Sequence, residues 1–143
     1  VRGKTSIPVA AGERLYGRGG FRPFLEAGAL DILQPDAMRT GGLLETKLIA
    51  AMAEAYYVPV APHNAGGPVG TIATLHACLA MPNFEILEFR VGDVPWRDEV
   101  VDPPIRIEGG VMQVPDGPGL GIALSEDVAR RHPHKPVAPE SHM

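Results

Sequence analysis

The sequence predicts an α/β fold, namely a partial TIM-type (β/α) barrel with about four parallel strands and covering helices. Four short apolar runs have the length of β-strands, at 7–13, 31–36, 58–63 and 84–89. Segments with the apolar spacing of helices separate these runs, and each loop after a run contains glycine. Strands that alternate with helices along a chain are typical of a parallel sheet that is covered on its faces.

The length of the chain limits how much of a barrel it can form. A complete (β/α)8 barrel needs about 250 residues, whereas this chain has 143. We therefore expect about half a barrel over residues 1–91 and a C-terminal extension over residues 92–143. Because the chain begins at Val1 rather than at methionine, we also expect further residues upstream and interpret the sequence as a C-terminal piece.

Three helices are predicted to cover the strands. They span about 21–27, with Gly28 as the C-cap, then 43–56 and 69–80. Apolar residues of the second helix recur at helical spacing and are expected to lie on the strands. These residues are Leu44, Leu48, Ala51 and Ala55.

Composition excludes several classes of partner. Seventeen acidic and thirteen basic residues give a net charge of -4, and the basic residues are scattered, so we expect no nucleic-acid partner. No apolar stretch reaches the roughly 18 residues of a membrane span, so we expect no membrane partner and a cytoplasmic location. The single Cys78 excludes an internal disulfide, and its Ala-rich helical surroundings predict a buried thiol.

Each predicted strand carries an acidic or imidazole side chain at or near its end: Glu13, Asp36, His63 and Glu88. The C-terminal ends of barrel strands form the rim where active sites are built. Alternate residues of a strand share a face, so Asp36 and His63 are expected side by side if both point into the barrel mouth. A carboxylate beside an imidazole fixes its tautomer and supports it as an acid or base. The alternative interpretation is a set of ordinary hydrogen-bonded rim residues.

Four motifs carry a family resemblance: GER at 12–14, QPDAMRTGG at 34–42, APHN at 61–64 and NFEILEF at 83–89. Together they resemble the C-terminal half of an enolase-superfamily enzyme of the mandelate racemase subgroup, most closely the galactonate dehydratase type of sugar-acid dehydratase. The resemblance implies the C-terminal half of a (β/α)7β barrel. It also implies that the extension at 92–143 packs toward a capping domain that this chain does not contain.

The same resemblance implies roles for the strand-end residues. Glu13 resembles the last of three carboxylate ligands of Mg²⁺, a hard ion that prefers oxygen. Asp36 and His63 resemble a catalytic dyad in which His63 meets the substrate and Asp36 orients it. Glu88 resembles a residue that hydrogen-bonds the carboxylate side of the substrate. The other two metal carboxylates and a second acid–base group are implied on earlier strands.

The implied reaction is dehydration of a sugar acid, an aldonate or aldarate, to a 2-keto-3-deoxy acid through removal of the proton alpha to its carboxylate. A racemase or cycloisomerase of the same superfamily is one alternative, because the same intermediate can be reprotonated or can expel another group. An inert scaffold or assembly fragment is another. With one metal carboxylate, the isolated chain is expected to be inactive. Its expected partners are a sugar-acid substrate, the missing N-terminal half and further copies in a homo-oligomer.

Three other residues are weaker candidates. His76, on the third helix, is expected to be packed or partly exposed rather than a ligand. Trp96 and Arg97, in the segment after the last strand, are expected either to reach a substrate or capping domain or to serve in docking.

Overall fold

The four predicted strand segments lie side by side in chain order. In the computed structural model, which describes residues 2–133, β1 (Ala10–Ala11) pairs in parallel with β2 (Ile32–Leu33). Single parallel bridges join Leu33 to Val60 and Val60 to Phe84. The parallel α/β arrangement that the sequence predicts is therefore confirmed.

Regular pairing in this sheet is shorter than the apolar runs predict, because each named strand spans two residues. Pro35, Pro59 and Pro62 lie within the runs, and each lacks the N–H that a sheet ladder needs. The segments still bond where donors remain. The Leu33 N–H donates to the carbonyl of Pro59 at 3.0 Å, and the Ala61 N–H donates to the carbonyl of Leu33 at 2.9 Å.

Helix α1 (Gly17–Glu26) covers the first two strands and begins at Gly17 rather than at the predicted Phe21. Its first N–H groups find acceptors on a distant segment: Gly17 donates to the carbonyl of Thr40 at 3.1 Å, and Arg18 donates to the Glu45 carboxylate at 2.8 Å. These bonds satisfy donors that are otherwise orphaned at a helix start. The C-cap is Ala27, one residue before the predicted Gly28, which follows it with a φ of +54°.

Helices α2 (Gly42–Glu54) and α3 (Pro68–Cys78) match the other two predicted helices. The predicted inward face of α2 is wrong, since Leu44 is 71% exposed and Ala51 and Ala55 are also exposed. The helix is apolar around most of its circumference, so the spacing alone allows more than one inward stripe. The residues that are buried instead are Thr46, Ile49, Ala50 and Ala53.

The hydrophobic core lies between the strands and the helices. Phe21, Leu33, Ile49 and Val60 are fully buried and belong to one cluster. The Thr46 hydroxyl is also fully buried, and it donates to the carbonyl of Gly42 at 2.9 Å, so its burial leaves no unpaired donor. This packing fixes the strands, and with them the positions of the residues at their ends.

The described part of the C-terminal extension folds back on the half barrel. The imidazole Nε2 of His76 on α3 lies 3.1 Å from the carbonyl oxygen of Leu120, so His76 is packed, as predicted. Positions 134–143 lie outside the described residues, and a docking role toward a capping domain stays a prediction. The elements of the extension are a 3-10 helix (Arg97–Glu99), β3 (Val101–Asp102), β4 (Ile107–Glu108), β5 (Val111–Met112), β6 (Ala123–Leu124) and α4 (Glu126–Arg131).

The helices of the described residues, 2–133, include none that combines the length and the apolar character needed to cross a membrane.

Candidate active site at the strand ends

Asp36 and His63 lie side by side at the ends of neighbouring strand segments. Asp36 Oδ2 is 2.9 Å from His63 Nδ1, as their shared strand face predicts. Their side chains are 11% and 24% exposed. When Nδ1–H donates to the carboxylate, Nε2 of the neutral ring is left as the acceptor. Nε2 is then the atom of His63 that can take a proton.

The turn after β2 holds Asp36 in place. Its Oδ1 accepts the backbone N–H of Met38 at 2.8 Å, and its backbone carbonyl accepts the N–H of Thr40 at 2.8 Å. One carboxylate oxygen is therefore committed to the local backbone, and the other is turned to His63. The guanidinium Nε of Arg39 lies 3.8 Å from that second oxygen.

Glu88 reaches the other side of the imidazole. Its Oε2 lies 3.9 Å from His63 Nε2 and accepts the backbone N–H of Asn64 at 3.0 Å. The Glu88 side chain is 46% exposed, so its carboxylate can still meet a ligand. The order Asp36, His63, Glu88 thus runs across three neighbouring segments of the rim.

Glu13 stands on the same rim, beyond β1. The backbone N–H of Glu13 itself lowers the pKa of its carboxyl group, against the opposing effect of burial, and the Gly12 N–H and the charges of His63 and Arg14 add to the lowering. The Glu13 carboxylate is anionic at neutral pH, as a cation ligand requires.

The donors on this rim fit Mg²⁺ in kind and not in number. Carboxylate oxygens suit a hard cation, yet Mg²⁺ keeps an octahedral shell and dehydrates reluctantly. Within residues 2–133, no group of three His, Cys, Asp or Glu side chains is placed to hold a metal ion. Glu13 can therefore supply one ligand, and a complete metal site needs ligands from elsewhere.

Sequence reasoning missed the residue that supports Glu88. The Asn64 side chain, 4% exposed for the whole residue, donates from Nδ2 to the Glu88 carbonyl at 2.9 Å and to the Thr71 hydroxyl at 3.2 Å. Asn64 therefore holds Glu88 at two places. Its side chain binds the Glu88 carbonyl, and its backbone N–H binds the Glu88 carboxylate. Its place directly after His63 in the APHN motif was the available signal.

Arg97 and Trp96, the two candidates after the last strand, both contact other residues of the chain. Arg97 is 6% exposed, and its guanidinium binds the loop after His63, where Nη2 donates to the carbonyl of Gly66 at 2.8 Å. The Trp96 ring stacks on the ring of His132 with centroids 4.3 Å apart. Direct contact of Arg97 with a substrate, one of the two predicted roles, does not fit its burial.

Known proteins resemble this chain over nearly its whole length. The model of the family described as "Enolase C-terminal domain-like" matches residues 1–128. A D-xylonate dehydratase of Haloferax volcanii is 40% identical over 92% of this chain and 32% of its own length. A D-galactonate dehydratase of Cronobacter sakazakii is 41% identical over 87% and 34%. A D-galactarolactone cycloisomerase of Agrobacterium fabrum is 41% identical over 89% and 36%.

A solved structure is also similar. A mandelate racemase/muconate lactonizing enzyme-like protein from Rubrobacter xylanophilus superposes with a TM-score of 0.87 at 41% identity, over 94% of this chain and 34% of that one. The chain thus spans about a third of the length of these relatives. The matches confirm the predicted partial TIM-type barrel and the resemblance to the mandelate racemase subgroup. The chain belongs to the enolase C-terminal domain-like family.

Proposed function

We propose that this chain acts as the C-terminal part of a Mg²⁺-dependent sugar-acid dehydratase, in which His63 removes the proton alpha to the substrate carboxylate. The observation that carries the proposal is the Asp36–His63 pair, whose 2.9 Å contact leaves Nε2 directed away from Asp36 and able to accept a proton. Relatives described as D-xylonate and D-galactonate dehydratases support the choice of a sugar acid as substrate.

The rim residues divide the chemistry between them. His63 Nε2 takes the alpha proton, and Asp36 holds the ring in the required tautomer and stabilises the imidazolium that forms. The electron pair of the broken C–H bond moves into the enolate, and the hydroxyl on the next carbon leaves as water with a proton from the acid–base group expected on an earlier strand. The resulting enol becomes the 2-keto-3-deoxy acid. A bound Mg²⁺ supplies stabilisation of the developing negative charge on the substrate carboxylate.

Glu13 and Glu88 flank the dyad in this proposal. Glu13 is one carboxylate ligand of the metal, in keeping with its lowered pKa. Glu88, held by Asn64 and 46% exposed, hydrogen-bonds the carboxylate side of the substrate as charge builds up. The chain contains one of the three metal carboxylates that the reaction needs. We therefore expect it to be inactive alone and active within a longer polypeptide of the length of its relatives.

The test uses the full-length protein that contains this sequence and a panel of aldonates and aldarates. We expect at least one substrate to yield a 2-keto-3-deoxy acid, detected as its semicarbazone. The His63→Asn variant keeps an amide at the position of Nδ1 but lacks Nε2, and it is expected to lose turnover. The matched control is His76→Gln, whose amide nitrogen can keep the contact with Leu120. Full turnover by the His63→Asn variant would show that His63 is not the base.

A cycloisomerase is the second candidate, and the Agrobacterium fabrum relative favours it. The same Asp36–His63 pair can serve a reaction in which the enolate expels a ring oxygen rather than water. The same panel, extended to aldarolactones, separates the two functions. A dehydration product is lighter than its substrate by one water, whereas a cycloisomerisation product keeps the mass of the substrate.

A further inference from the structure

The guanidinium of Arg97 is buried against the loop after His63 and the first turn of α3. Its Nη1 donates to Asp93 at 2.7 Å, and its Nη2 donates to the carbonyl of Gly66 at 2.8 Å. The side chain is 7% exposed. Burial of a cation costs several kcal/mol unless it is paired and hydrogen-bonded, and here Asp93 and Gly66 provide this pairing.

Two of the contacts of Arg97 lead to Glu88. Nη2 also lies 3.4 Å from the Thr71 hydroxyl, which accepts from Asn64 Nδ2 at 3.2 Å. Asn64 in turn binds the Glu88 carboxylate and carbonyl. The second route passes through Phe89, the residue directly after Glu88. The guanidinium carbon of Arg97 lies 5.3 Å from the centroid of the Phe89 ring.

We propose that Arg97 is a positioning residue of the rim, which fixes the loop after His63 and holds the Glu88 carboxylate beside the imidazole. Asp93 balances the charge of Arg97, and the planar fork of the guanidinium lets one side chain bond Asp93 and Gly66 at once. The extension at 92–133 is thereby part of the site rather than only its cover. The consequence for catalysis rests on the proposed function, whereas the positioning of Glu88 does not.

The closing experiment needs no substrate, so it can fail independently of the proposed dehydration. Amide hydrogen exchange is measured by NMR on the full-length protein that contains this sequence, for two backbone N–H groups. The Asn64 N–H donates to the Glu88 carboxylate, whereas the Ala61 N–H donates to Leu33 within the sheet. In an Arg97→Lys variant, the compact ammonium cannot reproduce the fork. We expect exchange at Asn64 to rise by about tenfold or more, as for the loss of a hydrogen bond to a charged group, and exchange at Ala61 to change far less.

Two further variants complete the test. Arg130→Lys, on an exposed ion pair of α4, should leave both amides unchanged. Asp93→Asn removes the charge that fixes Arg97 and leaves the bonds of Asn64 in place, so it should reproduce the selective rise in exchange at Asn64. Asp93→Asn also decides the matter if Arg97→Lys does not fold. Equal acceleration at Asn64 and Ala61 would mean that Arg97 only stabilises the fold, and unchanged exchange at Asn64 would equally overturn the proposal.

In the full-length protein, Arg97→Lys is expected to lower kcat by about tenfold with KM changed little, because Glu88 acts as charge develops on the substrate. Normal kcat together with selective exchange at Asn64 would remove the catalytic consequence and leave the positioning intact. Absence of dehydratase activity in the unaltered full-length protein would count against the proposed function and not against the positioning of Glu88 by Arg97.

Discussion

The carboxylate of Asp36 and the imidazole of His63 meet at 2.9 Å, although 27 residues separate them in the sequence. Each stands at the end of a segment of the same parallel sheet, and the two segments are bonded through Leu33 and Val60. The distance is therefore set by the sheet and not by flexible loops. A pair built in this way has a fixed orientation before any ligand arrives, which lowers the cost of proton transfer.

The Asp36→Asn variant tests this orientation. The amide oxygen can still accept the Met38 N–H, while the amide NH₂ faces His63 Nδ1. Nδ1 must then be the acceptor, so the ring proton moves to Nε2 and the proposed base is blocked. We expect kcat of the full-length protein to fall by about a hundredfold or more.

The control for this variant is Asp127→Asn, on an exposed ion pair of α4 with Arg130. It should keep full activity. The unfolding midpoint by urea is measured for both variants, so that a loss of activity is not confused with a loss of fold. Asp36→Asn with normal kcat would mean that the tautomer of His63 is irrelevant to the reaction.

Cys78 gives a prediction about alkaline pH. Burial raises the pKa of its thiol from 9.0 to about 12, because the apolar surroundings disfavour the thiolate. The unfolded chain releases this proton near pH 9 and the folded chain only near pH 12. The contribution to stability is thus complete below pH 9 and is lost as the pH rises, by about 1.4 kcal/mol per pH unit within that window.

A Cys78→Ala variant isolates this effect, because every other titrating group is common to both proteins. The free energy of unfolding is measured by urea at several pH values from 8 to 11. We expect the unaltered chain to lose stability more steeply above pH 9 than Cys78→Ala does. Parallel slopes for the two proteins would mean that the thiol is not buried in the folded chain.

Much of the arrangement at the rim could be predicted from the sequence, whereas less of the packing around it could. The strand ends could be found because each apolar run carries an acidic or imidazole residue at or near its end. The two-residue period of a strand then predicts the contact of Asp36 with His63. The inward face of α2 could not be found in this way. Its apolar residues surround the helix, and the choice of Ile49 over Leu44 depends on the neighbours that the fold brings to it.

Contacts between distant segments explain the remaining differences. Helix α1 begins early because acceptors on Thr40 and Glu45 meet its first N–H groups. Arg97 is buried against Gly66, a partner that lies 31 residues away in the sequence. Neither pairing leaves a periodic signal in the chain. The roles of the rim residues stay predictions in the same sense, since geometry places the side chains and kinetics must assign them.

Removal and addition of Mg²⁺ test the role of Glu13. Since the described residues lack a group of three metal-binding side chains, Mg²⁺ should bind the isolated chain with a dissociation constant on the order of 10 mM or weaker. At 1 mM it would then add less than about 0.1 kcal/mol to the free energy of unfolding. A clear rise in the thermal midpoint at 1 mM Mg²⁺ would contradict the view that this chain holds only one ligand.

In the full-length protein, we expect chelation to abolish activity and added Mg²⁺ to restore it. Glu13→Gln replaces a charged ligand oxygen by a neutral one, and it should raise the Mg²⁺ concentration for half-maximal activity by about tenfold or more. Glu54→Gln, at the exposed end of α2, is the matched control and should leave this concentration unchanged. An identical Mg²⁺ requirement for Glu13→Gln and the control would exclude Glu13 as a ligand.

Gly12 determines how the chain leaves β1 and turns to Glu13. Its φ of +138° is rarely adopted by residues with a side chain, and an added Cβ would lie 2.7 Å from Cε1 of the buried Phe21 ring. Gly12→Ala therefore meets both backbone strain and a clash. We expect the free energy of unfolding in urea to fall by about 2 kcal/mol or more.

The comparison is Gly19→Ala on α1, where the added Cβ meets nothing within 4 Å. The higher helix propensity of alanine should add about 0.5–1 kcal/mol to the free energy of unfolding. Equal stability of the two variants would mean that the turn before Glu13 tolerates a side chain, and that the position of Glu13 on the rim is not fixed by Gly12.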